Sequence, residues 1–301
     1  MLATDYFDRF LAREMPIIVD THQAERAAIR HGFTALSRYD MPEGIEAALQ
    51  LRCGAESATD AQVLSEGANV IVAYLAVAPY ECSDIALDYS ILRLGSLCMH
   101  NTLERRSLNY LLLLSSRTLL LCCRGYTLAC YLGDEIEHRG DIFSMREGRC
   151  YAIGEFMRLP IIARSRRRSS AALDGDFAFD GVVYRVGAPM LKSRQEIFLG
   201  ELMDRCADGD NRLLVRENEI SRVIVNNVDI TDEFMRQLIS RHEYLDIGEF
   251  SLGCADFEVP ANWKINSSLN EGTVGASISI DVGSNMSRIT FVSAGASLRA
   301  A

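Results

Sequence analysis

Asn109–Leu132 reads NYLLLLSSRTLLLCCRGYTLACYL, and the way this stretch divides decides the fold. The longest apolar tract of the chain, Leu108–Cys123, runs into it. That tract carries Ser115, Ser116 and Arg117 and falls short of the roughly 20 apolar residues that a bilayer requires. Two breaks, Ser115-Ser116 and Arg124-Gly125, cut the stretch into short runs of the kind that make strands joined by tight turns. It therefore reads as a β-meander: NYLLLLSS, then TLLLCC, then YTLACYLG. A buried helix is the alternative, because leucine favours helices.

Toward the N-terminus the pattern is helical. Thr4-Asp5 precedes Tyr6, Phe7, Phe10 and Leu11 at helical spacing, with a cap signal at the start. Pro16–Val19 predicts a short strand. Asp20 or Thr21 then caps a helix through Ala24, Ala27 and Ala28 and toward Leu36. Pro42 opens a third helix, with Ile45, Leu49 and Leu51 on one side, and Thr59-Asp60 caps a fourth. Val70–Leu75 and Ile85–Leu94 predict strands bounded by Pro79, Ser83 and Gly95. A strand near Tyr151–Ile153 and a short helix to Met157 close this half.

The C-terminal half opens on Phe177–Asp180 and Val182–Val186 around Asp180-Gly181, a strong tight-turn signal that predicts a hairpin. A helix follows through Ile197, Phe198, Leu199, Leu202 and Met203, then a strand at Ile220–Val225. Thr231-Asp-Glu caps an amphipathic helix with Phe234, Met235, Leu238 and Ile239. Strands at Ala276–Val282 and Arg288–Val292 flank a turn at Gly283–Asn285. Helices precede strands twice, which predicts an α+β protein. Its N-terminal start is helical and is followed by antiparallel sheet; a second α+β lobe has mainly antiparallel strands.

Charge divides the chain at one place. Arg158–Ser170, RLPIIARSRRRSS, holds five arginines and no acid in a protein of net charge −10. Residues 1–157 carry 14 arginines against 21 acids, −7; residues 169–301 carry 12 basic residues against 20 acids, −8. The expected organisation is an N-terminal domain over 1–157, an Arg-rich linker or loop over 158–175 and a C-terminal domain over 176–301. Two acidic lobes beside a +5 segment disfavour nucleic acid, which needs many neutralised phosphates. Lys192 and Lys264 are the only lysines, so nearly every cation is an arginine able to clamp a carboxylate bidentately.

Nine cysteines at irregular spacing, with no CxxC and no basic-apolar signal segment at the start, predict free thiols in a cytoplasmic protein. Phosphate-loop, dinucleotide, nucleophile-elbow and zinc-protease motifs are all absent from the sequence, so the expectation is no cofactor and no metal. Cys98-Met-His100 has a ligand-like spacing but no matching second pair. Cys254, in SLGCAD downstream of His242-Glu243 and beside Asp256, is the most site-like of the cysteines. With His242 and Asp256 it defines the alternative reading, a small-molecule hydrolase or transferase. Trp263, the only tryptophan, suits an anchor at a domain edge or a binding groove.

The leading expectation is a non-catalytic accessory protein that holds a peptide or protein partner, presented to biosynthetic enzymes. Ser/Gly-rich strand edges within 266–297 suit the addition of an extended peptide strand. Arg158, Arg164, Arg166, Arg167 and Arg168, with Trp263, would bind the partner, and the arginines would favour an acidic one. A homodimer whose leucine-rich sheet forms the interface is a further expected association.

Overall fold

The computed structural model describes residues 1–37, 44–53, 70–78, 80–133, 143–161, 171–185, 193–207, 209–238, 245–282 and 287–301. In chain order the first half contains α1 Ala3–Leu11, β1 Ile17–Val19, α2 His22–Arg30, β2 Ala35–Ser37, β3 Ala47–Arg52, β4 Ile71–Ala76, α3 Asp84–Leu94, β5 Leu97–Cys98, α4 Met99–Ser115, β6 Thr118–Cys123, β7 Tyr126–Leu132, β8 Cys150–Ala152, α5 Ile153–Met157 and β9 Arg158–Ile161. The second half contains β10 Ala171–Phe179, β11 Gly181–Arg185, α6 Ser193–Ala207, β12 Asn211–Arg216, β13 Glu219–Val225, β14 Val228–Asp229, α7 Thr231–Leu238, β15 Ile247–Gly253, β16 Asp256–Phe257, α8 Ser268–Glu271, β17 Gly275–Val282, β18 Ser287–Ala294 and β19 Ser297–Ala300.

The strands assemble into three main sheets: β2-β1-β3-β4-β8, then β14-β13-β12-β10-β7-β6-β19, then β11-β18-β17-β15-β9. The α+β class holds, with mainly antiparallel sheet following the helical start. The first sheet adds something the sequence did not announce, because all its pairings are parallel. The reason is burial. Ile17–Val19 and Ala47–Arg52 are buried at every position, and strands covered on both faces carry no alternating pattern to read.

Three local expectations are corrected. Ile85–Leu94 is helix α3 and not a strand. Ser83, expected to bound a strand, is its N-cap, with the Oγ accepting from the Ala86 amide at 3.1 Å. Asn109–Ser115 is the end of helix α4, so only TLLLCC and YTLACYL form the expected hairpin. The reach of Leu49 and Leu51 toward a helix from Pro42 is overruled by β3, whose six residues pair with β4 in the buried sheet. The proposed caps at Thr59-Asp60 lie outside the described residues.

The fourth correction concerns Asp180-Gly181. Both flanking strands form, but they do not pair with each other. β10 pairs with β7 and β12, and β11 pairs with β18 in a different sheet. The Asp180 carboxylate explains the corner: it accepts from the Ala294 amide at 2.6 Å and pairs with Arg124, while the Asp180 amide donates to Val292 at 2.7 Å. Gly181 is required there for space. A Cβ at this position would lie 2.3 Å from Cε3 of Trp263.

Two large hydrophobic cores form among the described residues. One gathers α1, α2 and α3 residues around the parallel sheet, including Tyr6, Phe7, Phe10, Ile17, Leu49 and Phe156. The other joins both antiparallel sheets with α6 and α7. Phe291 is its hub, with Phe179 at 5.1 Å and Phe234 at 6.0 Å between ring centroids. Each fully buried phenylalanine of this kind contributes about 1.5–3 kcal/mol of transfer free energy.

Candidate functional site

Arg158, the one arginine of the basic segment within the described residues, is not a free clamp. It begins β9 opposite Gly253, and its Nη1 lies 2.6 Å from Glu271 Oε2 and 3.6 Å from Glu249 Oε1. Arg288 holds the other side of Glu249 at 3.0 Å and reaches Asp281 at 3.0 Å. Ser251 Oγ donates to Glu249 at 2.9 Å, and Tyr80 and Thr290 donate to Glu271 at 3.4 Å each. Arg158, Glu249, Ser251, Ser279, Asp281, Arg288 and Thr290 occupy paired register positions, so they share one face of the third sheet. Glu271 of α8 and Tyr80, which follows β4, close over that face.

The electrostatics of this seam are self-compensating. Burial pushes the Glu249 carboxyl up, but Arg158 and Arg288 outweigh it and hold the group below its ordinary value. Burial likewise opposes the charge on Arg158, and Glu271 and Glu249 more than restore it. Glu249 and Glu271 are both engaged by arginine and hydroxyl partners, so the cluster offers no open carboxylate. It acts as a charge lock between the carboxyl end of the parallel sheet and the third sheet.

Arg164, Arg166, Arg167 and Arg168 lie outside the described residues. Trp263 is half-buried, and its ring seals the first residue of β11 through Gly181. Cys254 is completely buried. Its sulfur lies 3.5 Å from Asn109 Nδ2, which donates to it, and 3.5 Å from the Leu252 carbonyl. Burial pushes its thiol up, the opposite of an activated thiolate. Asp256 accepts from Asn101 at 2.7 Å and its amide donates to Thr102 Oγ1; His242 lies outside the described residues. Among the described residues no three His, Cys, Asp or Glu side chains converge as a metal site.

The sheet edges distinguish themselves more clearly than any pocket. A strand edge exposes unpaired amides and carbonyls, and proteins cover most of them. At β9, Arg106 Nη1 donates to the Glu155 carbonyl at 2.8 Å and also to the Arg158 carbonyl. At β11, the Asn266 side chain accepts from the Tyr184 amide at 3.0 Å and donates to the Tyr184 carbonyl at 2.8 Å. That amide stands in for a neighbouring strand. β19 differs: among the described elements it pairs with β6 alone. Ser297, Arg299 and Ala300 are exposed while Leu298 packs on the core. The Ala301 amide donates to the Thr118 carbonyl, so by alternation Ser297 and Arg299 point their amides at β6. Leu298 and Ala300 point theirs outward.

Sequence reasoning missed the residues that build these seals. Arg93 is fully buried; it donates to the Val259 carbonyl and Thr273 Oγ1 at 2.7 Å each and lies over the Phe257 ring at 4.1 Å. With Tyr89, which donates to Asn270 at 2.5 Å, it holds the segment that carries Asn266 and Glu271. A single arginine in an apolar helix, whose carbonyl and hydroxyl partners lie more than 160 residues away, gave no signal.

Comparison with known proteins places the chain as follows. The model of the family described as crocagin biosynthetic protein CgnE/B matches residues 12–301. No curated protein matches. Among solved structures, the chain is similar to wild-type AmpT from Thermus thermophilus, at 11% identity and a TM-score of 0.48 over 98% of this chain and 94% of that one. It is also similar to 2,5-dihydroxypyridine dioxygenase from Pseudomonas putida KT2440, at 12% identity and a TM-score of 0.45 over 96% and 91%. No helix among the described residues is long and apolar enough to cross a membrane.

Proposed function

The chain belongs to the crocagin biosynthetic protein CgnE/B family, and from that premise we propose that it is an accessory protein that holds a peptide for the enzymes of the pathway. The observation that carries this reading is the contrast among the sheet edges. Two edges are closed by dedicated side chains, and β19 keeps outward amides at Leu298 and Ala300. An extended peptide adds there as the next strand of the seven-stranded sheet, taking affinity from main-chain hydrogen bonds. Arg164, Arg166, Arg167 and Arg168 supply the second element, attraction for acidic residues of the same peptide. A second copy of the chain associates through Leu108, Leu111 and Leu114, a stripe at three-residue spacing on α4 that is about 60% exposed.

Ala300→Pro tests the strand. Proline removes an outward amide without touching the ladder to β6. With a synthetic acidic peptide as titrant in calorimetry, the dissociation constant should rise about tenfold. An unchanged constant discards β19 as the docking edge. Replacing the four arginines with serine should weaken binding and flatten its salt dependence, while a slope identical to that of the unaltered protein removes the clamp from the reading.

A further inference from the structure

The core around the parallel sheet leaves a cavity of about 100 Å³ at the surface, where the ends of α1, α2 and α3 meet. Leu11, Phe33 and Ile91, which belong to or pack on that core, form its walls, and Leu92, 52% exposed, forms its lip. A cavity of roughly 150 Å³ holds a benzene molecule, so this one takes about four heavy atoms, the size of a leucine side chain.

Two polar groups on the rim are held in place. Arg13 has a left-handed backbone, with φ 59°, a conformation uncommon for a bulky residue. Its Nε donates to the His31 carbonyl at 2.9 Å and its Nη1 to the Leu11 carbonyl at 3.4 Å, and the guanidinium lies 5.4 Å from the Phe33 ring centre. A Cβ at Gly32 would lie 3.2 Å from that Nε, so glycine there lets the guanidinium approach. Among the described residues Arg13 has no carboxylate partner, and its Nη2 is not engaged. Asp88 does not compete for it, because Arg30 at 2.9 Å and His31 at 3.2 Å occupy that carboxylate. The second group is the Leu92 carbonyl in the last turn of α3. The Gly95 amide donates to Ile91 at 2.9 Å and the Ser96 amide to Arg93 at 3.0 Å. The carbonyl between them is left without a backbone donor among the described residues. A Cβ at Gly95 would lie 3.4 Å from it, so glycine keeps it open to a ligand.

We infer that this cavity binds the C-terminal residue of a peptide, one with a leucine-sized apolar side chain. The side chain fills the recess and the free α-carboxylate pairs with Arg13, a charge-assisted contact to a guanidinium that is already fixed. The amide N–H of the same residue donates to the Leu92 carbonyl. Recess, cation and acceptor thus match the three features of an acylated amino acid with a free carboxylate. A free amino acid fits less well: no lining residue is an acid, so its ammonium would have no counter-charge.

The experiment is saturation-transfer NMR on the full chain with N-acetyl-L-leucine as the probe. A dissociation constant on the order of 1 mM is expected for a ligand of about a dozen heavy atoms. N-acetyl-L-leucinamide, which lacks the charge, should bind about tenfold more weakly. Arg13→Gln should bring the acid down to the level of the amide. Leu92→Asp, an exposed change that sets a like charge at the lip, should weaken the acid by a similar factor. Absent transfer from the acid, equal binding of acid and amide, or an acid affinity unchanged in both variants would overturn the assignment. Free leucine binding as tightly as its acetylated form would reassign the cavity to an amino acid and overturn the peptide terminus. The cavity shares no residue with β19 or with the arginines at 164–168, and the probe is too short to add as a strand. Ala300→Pro should therefore leave its binding unchanged, which separates failure of this site from failure of the docking edge.

Discussion

The two antiparallel sheets share a core and treat their edges in opposite ways. The five-stranded sheet is closed at β9 by Arg106 and at β11 by Asn266, and its polar face is locked by Arg158, Glu249, Glu271 and Arg288. The seven-stranded sheet ends at β19 with one paired side. The difference separates stability from recognition. In the five-stranded sheet side chains take up the Arg158 carbonyl and both main-chain groups of Tyr184, so a change there is read as lost folding free energy. At β19 the outward amides have no partner among the described residues, so a change is read in what the protein holds.

The largest effect expected from breaking this contrast is in the charge lock. Glu249→Gln leaves Arg158 and Arg288 undercompensated inside the seam and should cost about 3 kcal/mol in urea unfolding at neutral pH. It should also change the pH profile. The folded carboxyl sits below its ordinary value of 4.5, so its stabilisation is complete above that pH. It is lost as pH falls through the folded value. The unaltered protein should therefore lose stability on acidification more steeply than Glu249→Gln; parallel profiles would mean the lock is not electrostatic.

A smaller loss is expected at the seal of β11. Asn266→Ala strips the Tyr184 amide and carbonyl of their partner and should cost about 2 kcal/mol, measured by the urea midpoint at unchanged slope. The smallest effect on folding belongs to Ala300→Pro, within about 0.5 kcal/mol, despite its tenfold effect on the peptide. If Ala300→Pro proved as destabilising as Asn266→Ala, the two edges would be equivalent and the distinction between them would fail.

Much of the fold was legible where local physics and tertiary context agree. Thr21 announced α2 because a capping oxygen acts within a few residues: its hydroxyl accepts from the Ala24 amide at 3.2 Å. Ile278 and Ile280 announced β17 because one face of that strand is dry. Ile85–Leu94 was misread because Ser83 and Gly95 punctuate a helix as readily as a strand, and an apolar run buried on both sides has no period to decide between them. The Asp180-Gly181 corner has the composition of a tight turn. Its carboxylate instead binds the Ala294 amide, 114 residues away, and no local pattern encodes that. Of the residues expected to bind, Arg158 was found engaged in the lock and Trp263 packed on Gly181.

The amino-acid sequence by itself determined the α+β class, the strand and helix identity of most elements, and the acidic balance with one basic segment. These depend on composition and on neighbours within a turn or two. Only the tertiary structure decided which sheet each strand joins, which arginines are spent in ion pairs and which edge is left open. Those outcomes rest on contacts between residues tens to hundreds of positions apart, where sequence spacing carries no information about distance.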